Sequence, residues 1–286
     1  MKKIMLTLLS TLCFSVTYAD PVLPVYSRPA KISTVQVKQV KEASGISISQ
    51  KNPGIAWIHN DSGNGPIVWG IRLKDGVCIA QINMAGASNQ DIEDIALGTY
   101  AGIDTLFVGD IGDNPLKRGT YYINVMPEPD LTGMSNCQKI PMTVKKIKFK
   151  YPKNGIYNSE ALVFSQEFQK LYVIIKALKT EMFEFQTLKT DGSINYLQSL
   201  GKINLPVVTG ADMSRDGEGL ILRRYRSIHE SRKYPGDDPL RFLQGKFVTV
   251  PSPTEPQGEA VGYDAQGNYY TISEKIPAIY KITRLK

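Results

Sequence analysis

One unit recurs five times along the chain and limits what it can fold into. The copies read SGISISQKNPGIAWIHND from Ser44, EDIALGTYAGIDTLFVGD from Glu93, EALVFSQEFQKLYVIIK from Glu160, TGADMSRDGEGLILRRY from Thr209 and EAVGYDAQGNYYTISE from Glu259. Each opens on a polar residue and continues as a short strand of small and apolar residues. A turn of Gly, Asn, Asp, Ser or Gln follows, then a strand rich in β-branched and aromatic residues, which is the pattern of a β-hairpin. The starts are separated by 49, 67, 49 and 50 residues. A period of that length, with room for about four strands per unit, is the sequence sign of a β-propeller.

The outer strands of each unit can be placed at 67–73 and 77–83 in the first, 121–126 and 144–150 in the second, and 181–186 and 194–203 in the third. The fourth unit is polar and basic between Tyr225 and Lys246 and resumes as a strand at 247–250. The fifth has room for only three strands, ending at 279–284. Its missing strand is supplied by 34–40 (TVQVKQV), which alternates like a half-exposed strand and removes an open sheet edge when it pairs with the last unit. The expected fold is all-β, a single propeller of five four-stranded blades over 33–286, closed by the N-terminal strand and preceded by an extension at 20–32. The extra residues between the second and third units are read as a long loop at 127–141. The lysine run at 145–150 (KKIKFK) is read as an outer strand that keeps its lysines in water.

The first 19 residues have the layout of a secretory signal: Lys2 and Lys3, an apolar stretch over 4–16, and the small Ala19 before Asp20. The apolar part is short for a membrane span, and no second long apolar stretch follows. Removing 19 of the 286 residues leaves 267, and removing Lys2 and Lys3 lowers the net charge from +7 to +5. The expected product is a periplasmic or secreted monomer with no membrane span after signal removal. Its two remaining cysteines, Cys78 and Cys137, lie in a compartment that permits a disulfide, although their spacing does not decide the matter.

Repeat geometry places the polar residues. The innermost strand starts at one end of the ring and its hairpin partner returns to that end, so both should converge on one mouth of the central channel. The first positions are Ser44, Glu93, Glu160, Thr209 and Glu259. The hairpin ends add His59, Asn60 and Asp61, then Asp110, Asp113 and Asn114, then Lys176, Arg223 and Arg224, and Glu274. Asp91 and Asp94 flank the second start, and Asp212 is set by alternation on another face. Carboxylates beside a narrow channel are costly unless they meet a cation. That cation is either an internal partner such as Lys176 or Arg224, or a hard divalent ion held by oxygen ligands, with calcium the expected choice.

The segments HNDSG (59–63), EDIA (93–96), VGDIGDN (108–114), EALVF (160–164), TGADMS (209–214) and QGEAVGYD (257–264) resemble a broad group of exported bacterial β-propeller proteins, distantly similar to phytase-like and gluconolactonase-like propellers. The resemblance implies a polar site at one mouth that holds calcium or another divalent ion and hydrolyses phosphate esters or lactones. Those relatives usually have six blades, which makes six the alternative count.

Other chemistries lack their signatures. There is no Gly-x-Ser-x-Gly elbow, no cysteine or histidine pair at zinc spacing, and no glycine loop between a strand and a helix. Nucleic-acid binding would rest on charge alone. Two functions follow. In a metal-assisted hydrolase of a small anionic ester or lactone, Glu93, Glu160 and Glu259 serve catalysis. Asp61, Asp94, Asp110, Asp113, Asn114 and Glu274 hold the ion, and His59, Asn60, Lys176, Arg223 and Arg224 bind substrate. In a non-catalytic module, the same mouth binds a small molecule, a glycan or an envelope protein.

Overall fold

The computed structural model describes residues 22–233 and 245–286. The expected signal at 1–19 and the middle of the basic fourth-unit segment, 234–244, lie outside the described residues. The described chain is all-β, with 21 strands and a single short 3-10 helix at Pro152–Asn154. No helix among the described residues is long and apolar enough to cross a membrane.

Strand β1 (Ala30–Thr34) precedes the first unit, which comprises β2 (Ala43–Ile48), β3 (Ile55–Asn60), β4 (Ile67–Arg72) and β5 (Cys78–Ala85). The second unit holds β6 (Ile92–Tyr100), β7 (Ile103–Asp110) and β8 (Tyr121–Pro127); β9 (Gln138–Thr143) and β10 (Lys145–Lys150) follow. The third is β11 (Ser159–Ser165), β12 (Lys170–Ile175), β13 (Glu181–Phe185) and β14 (Ile194–Lys202). The fourth is β15 (Gly210–Met213), β16 (Gly219–Arg224), β17 (Ser227–Arg232) and β18 (Val248–Val250), and the fifth is β19 (Gly258–Tyr263), β20 (Tyr269–Ser273) and β21 (Ala278–Ile282). Within each unit, consecutive strands pair antiparallel. Apolar residues of neighbouring units pack together: Trp57 and Val68 with Leu106 and Val108, Phe107 with Leu162 and Phe164, and Val163 and Tyr172 with Leu220 and Leu222. Ile221 and Ile228 pack with Tyr263 and Tyr269, and Ile46 and Trp69 with Ala260 and Ile272, which brings the last unit against the first.

The structure corrects three expectations. The strand that pairs with β21 is β1, in the register Ala30↔Lys281 to Thr34↔Ala278, and not 34–40. The alternation of TVQVKQV instead reflects a loop whose Val35 and Val40 are buried in the same apolar cluster as Ile46. The boundary set at 33 therefore cuts a strand, and Tyr26 within the supposed extension bridges to Arg284. Second, the expected loop at 127–141 contains most of β9, which pairs in parallel with β5 from Ala80↔Gln138 to Ala85↔Thr143. Third, β10 buries Ile147 and Phe149 as expected, but its outer edge is not free. It pairs in parallel with β14 and joins the second and third units in one eight-stranded sheet.

A disulfide joins Cys78 and Cys137, tying the return segment to the first unit across 59 residues, and it is consistent with an extracytoplasmic location. Replacing both cysteines with alanine is expected to lower stability by about 2–4 kcal/mol, because the unfolded chain regains the freedom of a long loop. Chemical denaturation of the oxidised protein beside the double variant measures this.

Candidate functional site

A β-bulge sits at the start of four of the five innermost strands. Register shifts lie between Ala43 and Gly45, Ile92 and Asp94, Ser159 and Ala161, and Gly258 and Ala260. The extra residues are therefore Ser44, Glu93, Glu160 and Glu259, the positions that begin the sequence repeat. A bulge adds one residue to a strand and re-aims its side chain. Here it sets three glutamates at one end of the innermost strands, with the hairpin ends beside them.

The carboxylates of Asp61, Asp91 and Glu93 can place one oxygen each within 4.8 Å of one another, a group that could hold a metal ion. Glu93 is 2% exposed, and its Oε1 is buried without a hydrogen-bond partner. Ser44 Oγ donates to the Glu93 carbonyl at 2.9 Å. The backbone of the VGDIGDN segment wraps the group. Ile111 and Gly112 donate their N–H groups to the Asp91 carbonyl, both at 3.1 Å. Asp110 Oδ1 accepts from the N–H groups of Gln90 and Asp91 and pairs with Arg118 at 2.8 Å. Gly112 faces the carboxylates so closely that a Cβ there would lie 2.2 Å from Glu93 Oε1 and 2.4 Å from Asp91 Oδ2. Only the absence of a side chain at Gly112 leaves room around these oxygens.

Glu160, Glu259 and Glu274 complete the acidic floor. Glu160 is paired with Lys176 at 2.6 Å and accepts from Asn158 Nδ2 at 2.9 Å. Glu259 accepts from Gln257 Nε2 at 3.3 Å. Burial pushes the Asp91 carboxyl up to about 7, reinforced by the Asp61 charge. Burial and the adjoining Glu274 push Glu259 up to about 9. Glu93 is raised well above the usual range by burial and then by the Glu160 charge. These shifts have one meaning: without added positive charge, the folded site retains protons that the unfolded chain has lost. Between the ordinary carboxylate range and the raised values, the native state binds more protons, so stability falls as pH rises. Chelator-treated protein is therefore expected to melt at a lower temperature at pH 8.5 than at pH 5.5, and excess divalent cation should flatten that profile. Thermal unfolding across pH, with and without cation, checks both statements.

The sequence-read residues divide in two. Asp61, Glu93, Glu160, Glu259, Glu274 and Lys176 meet at the floor, where Asp61 senses the Glu274 charge and Glu259 the Glu160 charge. Asp94 does not join them. Its oxygens accept the N–H groups of Ile95 and Leu162 at 2.8 and 2.9 Å, stapling the second unit to the third. Asp212 does the same between the fourth and fifth units through Met213 and Tyr263. Asp113 caps its own loop, accepting from the N–H groups of Lys117 and Arg118 and from the Tyr121 hydroxyl. Asn114 accepts from Asn158.

The expected substrate-binding groups are mostly spent on structure. His59 is fully buried against Gly45, and burial lowers its imidazole to about 4. Asn60 binds the backbone of Gln39, Lys41 and Glu42. Arg223 is fully buried and pairs with Glu255 at 2.5 Å, while Arg224 Nε donates to the Pro206 carbonyl. Asp91 is the group that sequence reading noted without assigning. Its signal was its place two residues before Glu93, on the same side of an extended chain.

No protein-family model matches this chain, and no curated protein does. Among solved structures, the PQQ-bound form of an aldose sugar dehydrogenase from Streptomyces coelicolor matches over 92% of this chain and 99% of that one. The TM-score is 0.51 at 9% identity, a likeness that shows the β-propeller fold.

Proposed function

We propose that this chain is an exported, single-domain, five-bladed propeller, periplasmic or secreted, whose mouth binds calcium and hydrolyses a small ester or lactone. The observation that carries this reading is the Asp61–Asp91–Glu93 group, with its orphaned, buried Glu93 oxygen and the space kept by Gly112. An all-oxygen set of flexible carboxylates suits calcium. Held by Asp61, Asp91 and Glu93, such an ion would supply Lewis acidity for polarising a carbonyl or activating water. The Glu160–Lys176 pair presents an ammonium beside the reacting group, within 5.3 Å of the Tyr225 ring centroid. Arg223 and Arg224 take no part in the chemistry, given their structural bonds. The pyrroloquinoline quinone of the matched dehydrogenase does not fit this floor, which offers a surplus of carboxylates to a cofactor that is itself polyanionic.

The test is hydrolysis of 4-nitrophenyl acetate, 4-nitrophenyl phosphate and a δ-lactone by the full chain, in calcium and in chelator. Calcium-dependent turnover that is lost in Asp91→Asn is the expected result. Equal rates in chelator, or in Asp91→Asn, would overturn the calcium-assisted mechanism; calcium binding without turnover would overturn the hydrolase reading and leave a ligand-binding module.

A further inference from the structure

Two cavities open beside the acidic floor, on the side of the fourth and fifth units. The larger, about 410 Å³, is walled by Arg226, the segment 252–256 and Ile276. The smaller, about 270 Å³, shares Arg226 and adds Arg224 and Tyr225. The walls adjoin the floor through the chain. Arg226 follows Tyr225, whose ring faces the Lys176 ammonium. Pro256 precedes Gln257, which donates to Glu259, and Ile276 lies two residues after Glu274.

The charge of the larger cavity follows from its pairs. Among the described residues, Glu255 is the one acidic residue in its wall, and Arg223, fully buried, neutralises it at 2.5 Å. Arg226 is exposed and forms no ion pair with any described residue, so it sets the net charge of the wall. Arg224, held through its Nε by the Pro206 carbonyl, adds a second guanidinium to the adjoining cavity, with no carboxylate partner among the described residues. A cationic wall thus adjoins the acidic floor through these short chain connections. A guanidinium in this wall can hold a ligand anion, since it binds carboxylate or phosphate through two parallel N–H groups.

We propose that the cavity at Arg226 is the subsite for the anionic end, a carboxylate or a phosphate, of the ligand whose other end reaches the floor. This rests on the metal-bearing mouth proposed above for where the ligand lies, and its failure can be separated from failure of that reading. The experiment is calorimetric titration of the calcium-loaded full chain with glucuronate, glucose 6-phosphate and glucose, three probes that differ at one carbon. Binding of either anionic sugar and not of glucose is expected, and the one that binds assigns carboxylate or phosphate. Arg226→Ala should weaken it about tenfold, and Arg226→Lys less, because the ammonium keeps the charge and loses the fork. Anionic probes that bind no better than glucose, or an affinity unchanged by Arg226→Ala, would overturn the subsite. Repeating the titration in chelator separates the two proposals: Arg226-dependent binding in a protein that takes up no calcium upholds the subsite and rejects the ion.

Discussion

Gly112→Ala is expected to abolish divalent-cation binding while the protein stays folded. The methyl group would have to occupy space 2.2 Å from Glu93 Oε1 and 2.4 Å from Asp91 Oδ2, so both carboxylates must leave the positions that face Asp61. The Gly112 backbone is not in the left-handed region, so alanine brings no backbone strain of its own. The atoms it meets are the ends of side chains, which can rotate. The cost should therefore fall on the site and spare the fold. Calorimetric titration with calcium should show at least a hundredfold loss of affinity, with circular dichroism unchanged. A variant that binds calcium as tightly as the parent would mean that the ion does not sit under Gly112.

The second large effect concerns stability. Arg223→Met removes a fully buried guanidinium and leaves Glu255, itself 5% exposed, with the Thr271 hydroxyl as its remaining partner among the described residues. Breaking a buried pair from one side costs about 3–5 kcal/mol, whereas replacing both members with apolar groups of similar volume is often close to neutral. Arg223→Met should therefore lower the urea midpoint sharply, and Arg223→Met with Glu255→Met should recover most of the loss. If the double variant is as unstable as the single one, the packing of the guanidinium against Gly258 matters more than the charge.

The strands of the repeat were legible because hairpin grammar is local. Alternation and turn residues announced β6 and β7, β11 and β12, and β19 and β20 without any long-range information. What failed were features set by partners distant in sequence. The KIST segment of β1 has little pattern of its own and becomes a strand by pairing with β21, while the better alternation of TVQVKQV marks a loop. Strand β9 depends on a parallel partner in another unit, beside the Cys78–Cys137 bond.

The site followed the same logic. The repeat pointed to Glu93, Glu160 and Glu259, because their column marks the end of each innermost strand. The bulge that aims them left no mark in composition. Asp94 was misplaced because a carboxylate that staples two backbones looks, in sequence, like one that binds a cation. His59 and Arg223 were misplaced because proximity to a strand end does not reveal which way a side chain packs. Gly112 went unnoticed as part of the site because its contribution is an empty volume.

Asp61, Asp91 and Glu93 are proposed above to hold one divalent cation. The most direct measurement is calcium stoichiometry by equilibrium dialysis with elemental analysis, on the parent and on Asp61→Asn with Asp91→Asn. One ion per chain is expected in the parent and none in the double variant at the same free calcium. A parent that takes up no ion, or a double variant that binds it equally well, would show that these three carboxylates do not hold a cation.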